Sequence, residues 1–69
     1  MTASIIVNGE TAPLTAANVV ELLQDAGVDP QARGVAVAVN GTVVPRGDWA
    51  QRRLAAGDLI EIVKPFAGG

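Results

Sequence analysis

Two short apolar runs, each ended by an Asn-Gly pair, give the first indication of structure in this chain. The runs occupy 4–7 and 35–39, and the pairs are Asn8-Gly9 and Asn40-Gly41. Because Asn-Gly accepts the positive φ angles of a two-residue hairpin, each run predicts a strand that turns and returns. The second run alternates valine with alanine and contains no polar residue, which predicts that both of its faces are largely covered.

Proline marks both returning strands, predicted at 10–14 and 42–44, as edges of the sheet. Pro13 lies in the first and Pro45 follows the second, and proline cannot donate a hydrogen bond to a ladder. The last strand, predicted at 59–64, is therefore placed inside the sheet together with the first and third strands.

Between the two hairpins the apolar pattern changes to a helical period. Apolar residues recur at i, i+3, i+4 and i+7 and predict one buried helix face, formed by Val19, Leu22, Leu23 and Ala26. Asn18 is the predicted N-cap, and the Glu21 carboxylate is expected to accept a hydrogen bond from the Asn18 N–H. Gly27 is expected to end the helix in the left-handed conformation, with Val28 folding back onto its last turn.

The stretch before the last strand predicts a short helical turn within 46–54, with Trp49 and Leu54 pointing inward. Tryptophan is highly buried on average, so we favour a core position for Trp49 over a docking patch. Arg46-Gly47-Asp48 spells an adhesion tripeptide, which we interpret as a turn. Glu61 alternates with apolar neighbours and is expected on the solvent face of its strand.

These elements predict an α+β fold, a five-stranded mixed sheet packed on one main helix. The chain has 69 residues, which allows one domain, predicted at 1–64 and followed by a flexible tail at 65–69 that ends in diglycine. It contains no cysteine and no histidine, and 49% of its residues are hydrophobic. Disulfides are therefore excluded, a metal site is not expected, and an aliphatic core rich in valine and isoleucine must supply the stability.

Charge and motif content exclude several classes of function. The net charge is −2 and no long basic run occurs, so we expect no nucleic-acid partner. The apolar runs are too short to cross a bilayer and no secretory signal is evident, which predicts a cytoplasmic protein without membrane contact. No constellation of catalytic side chains and no phosphate-cradling loop is present, so an enzyme activity of its own is not expected.

The terminal pair Gly68-Gly69 is the candidate for chemistry. It presents an α-carboxylate on a stem without side chains, which can thread a slot too narrow for other residues. A carboxylate with an ordinary pKa of about 3.5 is an unreactive acyl group, so it must be activated, for example as an ester with AMP, before sulfur can enter.

Several blocks of the sequence, spread over most of its length, form a recognisable combination. They are Asn8-Gly9-Glu10, Val19-Val20-Glu21-Leu22-Leu23, Val35-Ala36-Val37-Ala38-Val39-Asn40-Gly41, Val43-Val44-Pro45-Arg46 with Trp49, Leu54-Ala55-Ala56-Gly57-Asp58-Leu59-Ile60-Glu61-Ile62-Val63 and Ala67-Gly68-Gly69. Together these blocks resemble the ThiS family, the sulfur-carrier proteins of thiamine biosynthesis. The resemblance covers nearly the whole chain and implies the β-grasp (ubiquitin-like) fold, which agrees with the order of strands and helix read from the pattern.

The resemblance also implies a mechanism and a set of partners. An E1-like adenylyltransferase of the ThiF type would use ATP to adenylate Gly69, and sulfur derived from cysteine by a desulfurase would convert it to a thiocarboxylate. A thiazole synthase of the ThiG type would then take the sulfur. Gly68, Ala67 and Phe66 would thread the partner's active site. The chain would bind no cofactor itself and would act as a cosubstrate, docking through the exposed sheet face near the tail.

Three alternatives remain open from the sequence. Pro65 before the tail resembles the related MoaD family, the sulfur carriers of molybdopterin synthesis, whose ends are often rich in proline. A carrier of that family would differ only in the acceptor of the sulfur. A ubiquitin-like protein modifier would instead form isopeptide bonds through Gly69. The last alternative is an interaction module whose diglycine end has no chemical role.

Overall fold

A computed structural model describes residues 3–64 and shows five strands, one α-helix and one 3₁₀ helix. The elements are β1 (Ser4–Val7), β2 (Glu10–Pro13), α1 (Val19–Asp25), β3 (Ala36–Val39), β4 (Thr42–Val43), the 3₁₀ helix (Arg46–Asp48) and β5 (Leu59–Val63). Within these residues, no helix has the length and apolar character needed to cross a membrane.

The five strands form one mixed sheet in the order β2-β1-β5-β3-β4. The central strand β5 runs parallel to β1 and antiparallel to β3, and the two hairpins supply the remaining antiparallel pairs. The two proline-marked strands, β2 and β4, lie at the edges as predicted, and the fold class read from the sequence is confirmed. The predicted tail at 65–69 lies outside the described residues, as do its site residues Phe66, Ala67, Gly68 and Gly69.

Both predicted hairpins turn at their Asn-Gly pairs. Asn8 and Gly9 have φ angles of 51° and 84°, and Asn40 and Gly41 have 53° and 82°. Two consecutive positive φ angles are typical of a type I′ turn, whose twist matches that of the strands it joins. Asn-Gly therefore determines where each ladder closes.

Helix α1 begins at the predicted cap, but one bond of the predicted capping box is different. The Asn18 Oδ1 accepts from the Glu21 N–H at 2.9 Å, whereas the Glu21 Oε1 accepts from the Ala17 N–H at 3.1 Å and not from Asn18. The Asn18 main chain is extended, with φ −146° and ψ 178°, and the carboxylate reaches the amide one residue earlier.

The helix ends in a Schellman motif at the predicted glycine. Gly27 has a φ of 76°, its N–H donates to the Gln24 carbonyl, and the Val28 N–H donates to the Leu23 carbonyl at 2.8 Å. The prediction that Ala26 lies in the buried face was wrong. Ala26 is the C-cap and is exposed, because the helix has already ended at Asp25 and the chain turns at Gly27.

The core lies between α1 and one face of the sheet. Its largest fully buried members are Ile5, Val19, Leu23, Val37 and Ile60. Trp49 is 2% exposed, so its core position is confirmed, and its Nε1–H donates to the Val44 carbonyl at 2.8 Å. Leu54 packs against the same core as a half-buried residue, as predicted.

The second face of β3 is open, which corrects the expectation that both faces would be covered. Val37 and Val39 lie on the face that α1 covers and are buried, but Ala36 is exposed and Ala38 is only half-buried. Since α1 covers a single face, the alanines of the Val-Ala alternation lie on the uncovered side. The absence of polar residues in β3 therefore did not indicate burial.

The open sheet face and the C-terminal strand

Strand β5 is the element that carries the chain toward Gly69. It pairs with β1 at Leu59 and Ile60 on one side, and with β3 from Ile60 to Val63 on the other. Ile60 and Ile62 point into the core, with 1% and 8% of their surfaces exposed. These contacts hold β5 in the centre of the sheet. The strand ends at Val63, one residue before Lys64, the last described residue.

The alternate residues of β5 form the middle of an apolar surface on the uncovered side of the sheet. Large side chains there are unusually exposed: Leu59 at 53%, Val63 at 59% and, from the edge strand β4, Val43 at 70%. The strand register places Ala36 beside Val63 and Ala38 beside Val43. We call these five residues, together with Ile6 opposite Leu59, the open face.

Glu61 is the one charged side chain that the described strands direct to this side of the sheet. It is exposed, as predicted, and lies opposite Ala38 between Leu59 and Val63. Exposed apolar side chains grouped on one face are typical of interaction surfaces, which makes the open face the candidate docking surface. The sequence predicted a docking surface on the exposed sheet face but not its residues, because only the position of α1 decides which face stays open.

The start of β5 is held by the buried carboxylate of Asp58. The Asp58 Oδ2 accepts from the Ala55 N–H at 2.8 Å, and its Oδ1 accepts from the Asn40 Nδ2 at 3.0 Å. Asn40 completes the connection, because its Oδ1 accepts from the Leu59 N–H at 2.9 Å. Asp58 is 8% exposed, and the contacts join the second hairpin to the first residue of β5.

Opposing influences act on the Asp58 carboxyl. Burial on its own raises the pKa of Asp58, but the hydrogen bonds from the Ala55 amide and Asn40, together with the charge of Arg52, hold the pKa below its ordinary value of 3.8. The group is therefore a stable anion at neutral pH. Both of its oxygens accept hydrogen bonds that fix the turn, which makes it a structural carboxylate and not a candidate acid or base.

The adhesion-like tripeptide is also used internally. The Arg46 guanidinium lies over the Trp49 ring, 4.6 Å from its centroid, and donates to the carbonyls of Pro30 and Ala32. These contacts fasten the loop before β3 to the 3₁₀ helix. The interpretation of this segment as a structural turn agrees with the observed 3₁₀ helix.

Among residues 3–64, no three carboxylates or other metal-ligating side chains come close enough together to hold a metal ion. What the described part of the chain offers is a central strand that ends one residue before Lys64 and an exposed apolar face around it.

Comparison with known sequences places this arrangement in a family. The chain matches the model of the ThiS family over residues 5–69. It is 41% identical over 49 residues to the sulfur carrier protein ThiS of Escherichia coli strain K12, covering 71% of each protein. It is also 41% identical over 66 residues to a thiazole synthase of Paramagnetospirillum magneticum, covering 94% of this chain but only 20% of that protein's length.

Solved structures agree with this placement. A crystal structure of the thiamine biosynthesis protein ThiS from Geobacter metallireducens has a TM-score of 0.75 and 33% identity, covering 96% of this chain and 99% of that one. The solution structure of a thiamine biosynthesis protein from the same organism has a TM-score of 0.76 at 33% identity, covering 96% and 87% of the two chains. The sheet order, the single helix and the match through Gly69 lead to one conclusion: the chain belongs to the ThiS family, and its fold is the β-grasp.

Proposed function

We propose that this protein is a sulfur carrier for thiazole formation in thiamine biosynthesis, and that the Gly69 carboxylate carries the sulfur. The observation that supports it most is the family match, which extends through Gly69. The Escherichia coli relative is named a sulfur carrier protein. The relative from Paramagnetospirillum magneticum, which shares nearly the whole of this chain within a longer protein, is named a thiazole synthase and favours the thiamine branch over the molybdopterin branch.

The chemistry proposed for Gly69 has three steps. A carboxylate oxygen attacks the α-phosphorus of ATP on an adenylyltransferase of the ThiF type, and pyrophosphate leaves. In the second step the outer sulfur of a persulfide, formed from cysteine by the desulfurase, attacks the acyl carbon, so that a C–S bond forms and the C–O bond to AMP breaks. A thiol such as free cysteine then cleaves the S–S bond of this acyl disulfide, which releases the thiocarboxylate and leaves a disulfide as the other product. Gly68, Ala67 and Phe66 form the slender segment that enters the partner's active site. The carrier is consumed and regenerated, and the catalytic groups belong to its partners.

The open face is the proposed docking surface for these partners. It surrounds β5, which is the strand that leads to the tail, and it exposes more than half of the surface of Leu59, Val63 and Val43. A partner that covers these side chains removes apolar area from water and at the same time brings the end of β5 to its active site. The adenylyltransferase and a thiazole synthase of the ThiG type would use this face in turn.

Intact mass spectrometry tests the proposal directly. The purified chain is incubated with a ThiF-type adenylyltransferase, ATP and a cysteine desulfurase with cysteine, and the expected product has one oxygen of the terminus replaced by sulfur. Gly69→Ala, or one residue added after Gly69, should abolish loading without changing the thermal unfolding of the domain. A wild-type chain that gains no sulfur would overturn the carrier function.

The same experiment distinguishes the alternative functions. A protein modifier would appear joined to lysine side chains, of which this chain has a single example, Lys64. Deletion of the gene separates the two sulfur-carrier branches. If the deletion strain requires the thiazole moiety for growth, the thiamine branch is supported, and if it requires molybdopterin, the other branch is supported.

A further inference from the structure

The side chain of Asn8 extends the ladder between β1 and β5 beyond the last main-chain contact. That last contact is the Asn8 N–H, which donates to the Ile60 carbonyl at 2.9 Å. The Asn8 Oδ1 then accepts from the Ile62 N–H at 2.8 Å, and its Nδ2 donates to the Ile62 carbonyl at 3.2 Å. One carboxamide thus satisfies both main-chain groups of a residue 54 positions away.

The need for this side chain follows from the hairpin. If β1 continued parallel to β5, the Ile62 N–H would meet the main-chain carbonyl of residue 8 and its carbonyl would meet the N–H of residue 10. The chain instead turns at Asn8-Gly9, and Glu10 pairs back with Val7. The Asn8 carboxamide makes the two hydrogen bonds to Ile62 that these main-chain groups would have made. Ile62 lies two residues before Lys64.

We propose that Asn8 is a positioning residue for the loading of Gly69, an inference that rests on the proposed function. By holding Ile62, Asn8 keeps the end of β5 in the plane of the sheet, so that Lys64, the last described residue, has a fixed position relative to the open face. A carrier docked on that face then presents its terminus to the active site with less conformational freedom to lose. Without Asn8, the affinity for the partner would be unchanged, but a smaller fraction of docked molecules would have the terminus positioned for reaction.

Asn40 provides a matched control within the same molecule. It occupies the same position in the second Asn-Gly turn, with a φ of 53° against 51° for Asn8. Its carboxamide also contacts β5, but through Asp58 and Leu59 at the opposite end of the strand. Loss of Asn40 should therefore destabilise the fold without altering the exit of the tail.

The experiment compares Asn8→Gly, Asn8→Asp and Asn40→Gly with the wild-type chain, since glycine tolerates the positive φ and removes only the side chain. Each variant serves as the substrate of a ThiF-type adenylyltransferase, and its concentration is varied so that kcat and KM can be taken from the rate of pyrophosphate release. The measurements are made under conditions where Trp49 fluorescence shows that each variant is folded. Amide hydrogen exchange at Ile62 reports the local contact.

For Asn8→Gly we expect faster exchange at Ile62, a kcat lower by about tenfold and a KM within about twofold of wild type. Asn8→Asp keeps the acceptor but loses the donor and should be intermediate. Asn40→Gly should retain the wild-type kcat.

Equal losses of kcat in the Asn8 and Asn40 variants would show that only stability matters and would overturn the inference. So would an unchanged kcat in Asn8→Gly, or an effect confined to KM. If the wild-type chain itself is not adenylated, the proposed function fails, a result distinct from normal wild-type turnover with unaffected Asn8 variants.

Discussion

Replacing Asp58 by asparagine should lower the free energy of unfolding at neutral pH by about 2 kcal/mol. The carboxylate accepts from the Ala55 N–H and from the Asn40 Nδ2, and it is only 8% exposed. An asparagine at this position has one acceptor oxygen, so its own NH₂ group must face one of the two donors. A part-buried donor left without an acceptor costs about 1–3 kcal/mol, a large share of the stability of a small domain.

The size of this loss should depend on pH. Because the contacts lower the pKa of Asp58 below 3.8, the unfolded chain binds its proton at a higher pH than the folded chain does. The stabilisation by Asp58 is therefore complete above the unfolded value and is lost as the pH falls through the lower, folded value. The Asp58→Asn variant lacks this titration, so the difference from wild type should shrink below about pH 4.

Urea unfolding followed by Trp49 fluorescence at pH 7 and at pH 3 measures both effects. Asp48→Asn is the control, since Asp48 is exposed and its substitution should change the free energy of unfolding by less than about 0.5 kcal/mol. The reasoning is refuted if Asp58→Asn is as stable as wild type at pH 7, or if the loss is equally large at pH 3.

Three further substitutions test other parts of the structure. Gly41→Ala should cost about 1 kcal/mol of unfolding free energy through its φ of 82° alone, because an added Cβ meets no atom within 4 Å, whereas Gly47→Ala should be near neutral. Trp49→Phe should cost about 2 kcal/mol, measured by circular dichroism in urea, because the Val44 carbonyl loses its buried donor; an unchanged midpoint would contradict this. Leu59→Asp should leave stability within about 0.5 kcal/mol but weaken binding to the adenylyltransferase in calorimetry, and unaltered affinity would exclude the open face as the docking surface.

Local signals in the sequence were sufficient for most of the architecture. Asn-Gly pairs located both hairpins, Gly27 located the end of α1, and Pro13 and Pro45 identified the edge strands. These residues act through their own backbone preferences, so their effect is visible without knowledge of the fold. The resemblance to the ThiS family rested on blocks that are similarly continuous in sequence, and the family match confirms it.

The errors arose where a decision depended on distant parts of the chain. The Val-Ala alternation of β3 predicted a strand covered on both faces, but only the placement of α1 determines that Ala36 remains exposed. Similarly, Ala26 continues the helical period but follows the last helical residue, because the Schellman motif closes one position earlier than the apolar pattern suggests. The assignment of Gly69 stays a prediction, since it lies outside the described residues.

Sequence alone determined which segments form strands and helix, where they turn, and which terminal group is a candidate for chemistry. Tertiary structure decided which sheet face is open and which side chains hold β5 at its two ends, through Asp58 with Asn40 and through Asn8 with Ile62. The physical reason is range: turn and cap preferences act within a few residues, whereas the contact between Asn8 and Ile62 joins positions 54 apart and exists only after the parallel pairing of β1 and β5 has formed.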